Sequence, residues 1–198
     1  AFLLQYINGE VVSGNDISRS AAGSGAPIDT VVTALRMTNG ACSNVSIQLT
    51  GNLIHDLPYV GATSGSTTNY ISRFWGLACG AVSGKSTLPV VIESNVMKRI
   101  AAYNNVSGME VAKGQYFLFK KNELNRLWAE KSGDSYGLNL QSLTDVEVLG
   151  NMVRSCQFGN NSGGGRLLYF GNCGNSGYGW NRIEDNVLDS NKAGDGLG

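Results

Sequence analysis

An asparagine set in one frame of apolar residues recurs six times along this chain, and that recurrence restricts the fold more than any other feature of the sequence. The frame is an apolar residue, two residues, Asn, one residue and a second apolar residue. It reads VSGNDI around Asn15, LTGNLI around Asn52, IESNVM around Asn95, FKKNEL around Asn122, VLGNMV around Asn151 and IEDNVL around Asn186. Four copies add an apolar residue three places on, at Leu57, Ile100, Leu127 and Cys156, whereas the first and last copies have Ser20 and Asn191 there. The asparagines are 37, 43, 27, 29 and 35 residues apart. A helical repeat would keep its period and space its apolar residues at 3.6. Here the interval varies and the apolar residues alternate with period two, so the constant part is a strand corner and the variable part is loop.

Asn tolerates the left-handed backbone region, so Asn122 in LFKKNELNRL is expected to hold a left-handed bend between two short strands. Its side-chain amide, both donor and acceptor, is expected to bond its equivalents in the repeats on either side. Asn15, Asn52, Asn95, Asn122, Asn151 and Asn186 would then form one ladder.

A further strand-like run precedes each frame: 2–7, 30–37, 69–75, 109–113, 136–141 and 166–170. Each repeat therefore reads as strand, turn, strand, Asn bend, short strand and a loop rich in Gly, Ser and Asn. Stacked in register, Val12, Leu49, Ile92, Phe119, Val148 and Ile183 form one inward column, and Ile17, Ile54, Met97, Leu124, Val153 and Leu188 a second. No single repeat could bury these alone.

Composition agrees with a turn-rich β protein: 27 Gly and 3 Pro in 198 residues, with 42% hydrophobic residues. Charged residues are 15% and the formal net charge is zero, so no basic footprint points to nucleic acid. No apolar run is long enough to insert in a membrane. Cys42, Cys79, Cys156 and Cys173 show no CxxC spacing and no close His, and are expected to be core or turn thiols, with no metal or cofactor.

On this repeat the chain resembles the right-handed parallel β-helix proteins, the pectate-lyase-like superfold, over nearly its whole length. The resemblance implies an all-β fold: one right-handed, single-stranded parallel β-helix domain over 1–198, of about six coils with an Asn ladder, or a fragment of a longer chain. Uncapped coil ends are unpaired β edges, and phage tailspikes, whose β-helices sit in trimers, are similar in this respect. The implied function is binding and depolymerisation of bacterial surface polysaccharide by glycosidic hydrolysis, at an extracellular or virion-surface location and in a homotrimer. The alternatives are a non-catalytic spacer or adhesin segment, or a secreted polysaccharide lyase or epimerase.

The resemblance also implies that polysaccharide lies along the outer face of a strand sheet. Outward residues there are expected to be Gln5, Arg36, Arg73, Glu110, Asn139 and Tyr169, beside Trp128, Glu130 and Asp134 from a neighbouring loop. Glu110 and Asp134 are the candidate catalytic carboxylate pair, one to protonate the leaving oxygen and one to activate water or attack. Arg73, Trp75, Lys113, Trp128, Asn139 and Tyr169 are the candidate substrate-binding residues, with aromatic faces for sugar rings. A lyase would instead use Lys113, Arg73, Lys98 or Arg99 as base. Trp75 and Phe170 are expected to point outward and to offer apolar area for subunit packing. His55, the only histidine, is expected to be a surface residue with Asp56 on the opposite face of its strand. SGKST at 83–87 reads as an ordinary turn, because Cys79 stands where a phosphate-binding loop needs Gly.

Overall fold

A computed structural model of the chain describes residues 2–5, 11–18, 29–38, 46–57, 70–102, 105–129, 135–158, 165–173, 181–189 and 191–193. Among them there is no helix, and every named strand pairing is parallel.

Strands at equivalent places in the repeats pair with one another. At the first place are Phe2–Gln5, Asp29–Thr38, Tyr70–Ser83, the start of Asn105–Lys120, Tyr136–Gln141 and Arg166–Gly171. At the second are Val11–Ser13, Gln48–Thr50, Val90–Glu93, the end of Asn105–Lys120, Leu143–Leu149 and Asn181–Glu184. Asn105–Lys120 runs through both, which unites them in one 11-stranded sheet. At the third place Asp16–Ser18, Leu53–Leu57, Val96–Ala102, Glu123–Ala129, Met152–Arg154 and Val187–Asp189 form an 8-stranded sheet with the short strands Gln157–Phe158 and Lys192–Ala193. This arrangement is compatible with a parallel β-helix.

Both expected apolar columns are present in register, Leu49 to Ile92 to Phe119 to Val148 in one and Ile54 to Met97 to Leu124 to Val153 in the other. These eight are 0–1% exposed. Ile183 and Leu188 continue the columns but are 48% and 49% exposed, because no described strand lies beyond them.

The asparagine ladder runs unbroken. Each Nδ2 donates to the Oδ1 of the next, from Asn15 to Asn52, Asn95, Asn122, Asn151 and Asn186, at 2.9–3.0 Å. Each Oδ1 so reached also accepts the backbone N–H of the asparagine before it. The Nδ2 groups of Asn52, Asn95, Asn122, Asn151 and Asn186 also donate back to the carbonyls of Val12, Leu49, Ile92, Phe119 and Val148, so the buried amides are satisfied on both sides. At the next corner Asn191 takes the apolar position of the frame, and its Oδ1 accepts the N–H of Cys156.

Two expectations about bends are corrected. The left-handed residue is the one before each ladder asparagine: Gly14, Gly51, Ser94, Lys121, Gly150 and Asp185 all have φ between 52° and 63°. Five residues on, Asp56, Arg99, Arg126 and Ser155 repeat the conformation at the next corner. Because Asp56 lies at such a bend, it does not take the opposite face from His55: the two side chains meet, Nδ1 to Oδ2, at 2.5 Å. The turn expected at SGKST is present, closed by a bridge between Lys85 and Leu88.

Candidate functional site

The site on the 11-stranded sheet begins with a break in strand alternation. Phe74 is inward and Trp75 outward, but Gly76 and Leu77 both turn inward, since a Cβ built on Gly76 would lie 2.2 Å from the Met97 sulfur. Gly108 meets Leu124 in the same way, and Gly137 meets Val153. Gly76, Gly108 and Gly137 stack in register, where the strands bend closely over the third-place sheet. The shift leaves two outward columns three residues apart instead of two. One is Trp75, Ser107, Tyr136 and Arg166; the other is Ala78, Glu110, Asn139 and Tyr169.

Between them lies a cleft of about 240 Å³ lined by Trp75, Asn105, Ser107, Glu110, Tyr136, Asn139 and Gln141. The Trp75 indole N–H donates to Glu110 Oε2 at 3.1 Å, and the Ser107 hydroxyl to the same oxygen at 3.2 Å. With Oε2 fixed, Glu110 Oε1 is left for a ligand or a reacting proton. Gln141 donates to Asn139 Oδ1 at 3.0 Å, which leaves the Asn139 amide N–H groups as potential donors.

Trp75, Glu110 and Asn139, singled out from sequence, therefore come together here, and Tyr169 lies beside Asn139 in register. Asn139 is only 2% exposed, covered by its neighbours. Lys113 is exposed further along the same strand as Glu110, paired with Ala81, and outside the cleft lining. The Arg73 backbone pairs with Asn105. Trp128 lies next to the end of the strand Glu123–Ala129 of the other sheet and does not line the cleft. Asp134 and Glu130 lie outside the described residues. Phe170 does not point outward: it follows Leu140 in the inward column and packs against the core.

Ser107, Tyr136, Gln141 and Arg166 were not singled out from sequence. For Ser107, Tyr136 and Arg166 the signal is the recurrence WGLA, SGME, YGLN and RLLY at 75–78, 107–110, 136–139 and 166–169, an outward residue on each side of an inward pair.

Away from the cleft, Asp16, His55, Asp56 and Arg99 hold one another. His55 Nε2 lies 2.8 Å from Asp16, and Asp56 also receives Arg99 Nη2 at 2.6 Å. The Asp56 contact, followed by that of Asp16, raises the His55 pKa, and Arg99 with His55 holds the Asp56 carboxyl well below the usual range. Cys79, Cys156 and Cys173 carry free thiols, and Cys42 lies outside the described residues. Burial pushes the Cys156 thiol up to about 11 and Cys79 further still, so neither is a ready nucleophile. Among the described residues, no three His, Cys, Asp or Glu side chains converge to hold a metal ion.

Comparison with known proteins gave no match: no family model, no curated protein and no solved structure matches the chain.

Proposed function

We propose that the chain is a stretch of right-handed, single-stranded parallel β-helix of about six coils, of the tailspike kind. Its Trp75–Glu110–Asn139 cleft binds bacterial surface polysaccharide outside the cell or on a virion. The observation that carries this reading is the cleft itself, an indole edge, a carboxylate with one oxygen fixed and a set of side-chain amides on one rigid sheet. Aromatic faces and planar hydrogen-bonding groups are what sugars require. In the catalytic form of the proposal Glu110 and Asp134 hydrolyse a glycosidic bond, Glu110 exchanging a proton through Oε1. A second reading, glycan binding by a non-catalytic spacer or adhesin, is favoured by one fact: among the described residues lining the cleft, Glu110 is the only carboxylate. A homotrimer is the proposed assembly, to be checked by light scattering.

The test is binding, reducing-end release and ultraviolet absorbance on a panel of capsular and O-antigen polysaccharides, for the wild-type chain, Glu110→Gln and Asp134→Asn. New reducing ends without a new C=C chromophore, lost in either variant by a factor of about 100 or more, support hydrolysis. The chromophore would replace hydrolysis with elimination. Binding without release supports the spacer reading, and absence of binding to every member overturns the proposal.

A further inference from the structure

Beside the cleft, Arg166 is held against two aromatic rings. Its guanidinium carbon is 4.9 Å from the Tyr169 ring centre and 5.8 Å from that of Tyr136. The rings themselves are 5.6 Å apart and tilted by 41°. Arg166 Nη1 donates to the Tyr136 hydroxyl at 3.1 Å. These contacts fix the plane of the guanidinium but use few of its five N–H donors. Among the described residues it has no carboxylate partner, whereas Arg99, Arg154 and Arg182 each have one. An oriented, exposed cation with unused paired donors presents the fork that a carboxylate accepts in two parallel hydrogen bonds.

We propose that Arg166, Tyr136 and Tyr169 form an anion subsite that takes a carboxylate-bearing sugar of the bound polymer. The inference rests on the reading of this face as a glycan site and names the class of glycan. Arg166 follows Tyr136 in one outward column, and Tyr169 follows Asn139 in the other. Two strand spacings separate Arg166 from the Glu110 strand, about 10 Å. One oligosaccharide running across the strands reaches both. Stacking on two rings also lowers the cost of desolvating the cation, because the π faces replace part of its hydration. A carboxylate placed near Glu110 itself would meet a like charge, so the two ends of the site select different sugars along the polymer.

The test uses immobilised acidic capsular polysaccharides, each paired with its carboxyl-reduced derivative, and measures affinity for the wild-type chain, Arg166→Gln, Arg166→Lys and Tyr169→Leu. Circular dichroism and melting temperature are compared first. The expected result is an acidic polymer bound roughly tenfold or more tighter than its reduced partner. Arg166→Gln removes that preference, so that the acidic polymer binds no tighter than its reduced partner. Arg166→Lys retains a part of it, since it keeps the charge and loses the fork. Tyr169→Leu weakens it by freeing the guanidinium. Equal affinity for acidic and reduced polymers, or a preference that survives Arg166→Gln, overturns the subsite and leaves the glycan reading standing. Failure of every polymer to bind overturns both.

Discussion

At the scale of single residues, each corner divides its labour between two neighbours. Lys121 adopts the left-handed conformation, φ 52°, and Asn122 behind it places its amide in the ladder. A left-handed backbone costs an L-residue on the order of 1 kcal/mol, which explains Gly at positions 14, 51 and 150. The asparagine is retained for its side chain: one Oδ1 that accepts twice and one Nδ2 that donates twice. Asn122→Ala removes the acceptor for the Asn95 N–H and Nδ2 and the donor to Ile92 and Asn151. Each buried group left short costs about 1–3 kcal/mol, so the variant is expected to lose about 3 kcal/mol or more in urea unfolding. Asn122→Asp should be no better, because it keeps the acceptor but buries a charge and loses the donor. A loss under about 1 kcal/mol in the alanine variant would mean that water replaces the rung.

At the scale of elements, the glycine column decides where the cleft forms. Gly76, Gly108 and Gly137 let the strands bend over Met97, Leu124 and Val153, and this bend throws Trp75 and Glu110 onto the same outer surface. The apolar frame and the ladder were legible in sequence because both repeat at fixed offsets from Asn. The cleft was less so, since strict alternation pairs residues two apart and misses a partner three apart. Phe170 is a different case: next to the outward Tyr169 even strict alternation turns it inward, where it follows Leu140. Gly108→Ala tests the bend. Its Cβ would stand 2.6 Å from the Gly137 carbonyl and 2.8 Å from Leu124, and overpacking against backbone is expected to cost about 3 kcal/mol and to weaken the cleft. Gly150→Ala is the control. It has φ +61° and nothing nearer than a Lys121 side-chain carbon at 3.9 Å, so it isolates the conformational cost of about 1 kcal/mol. Equal losses for the two variants in denaturant would show that close approach is not what the glycine column serves.

At the scale of the whole molecule, stability is close to one-dimensional, because each repeat pairs with its neighbours along the stack. A polar clasp joins the first three repeats. Asp16 of the first repeat meets His55 of the second, and Asp56 beside it meets Arg99 of the third. Both ring nitrogens of His55 face carboxylates, and only the imidazolium donates from both. Lys98 pairs in register with His55 and carries the opposing positive charge. The His55 pKa is raised in the folded chain, so the clasp is complete below the ordinary imidazole value of about 6.5 and is lost as pH rises through the higher folded value. The Asp56 pKa is lowered, so its share is present above the ordinary value of about 3.9 and is lost as pH falls toward the folded one. Stability of the first repeat is therefore expected to be greatest in mildly acidic solution and to fall toward alkaline pH. The single histidine makes its NMR titration unambiguous. A His55 titration midpoint above 6.5, together with a melting temperature that declines over the same range in wild type and not in His55→Gln, bears this out. A midpoint at or below 6.5, or an identical decline in both proteins, would mean that the clasp does not tie the first repeat to the next two.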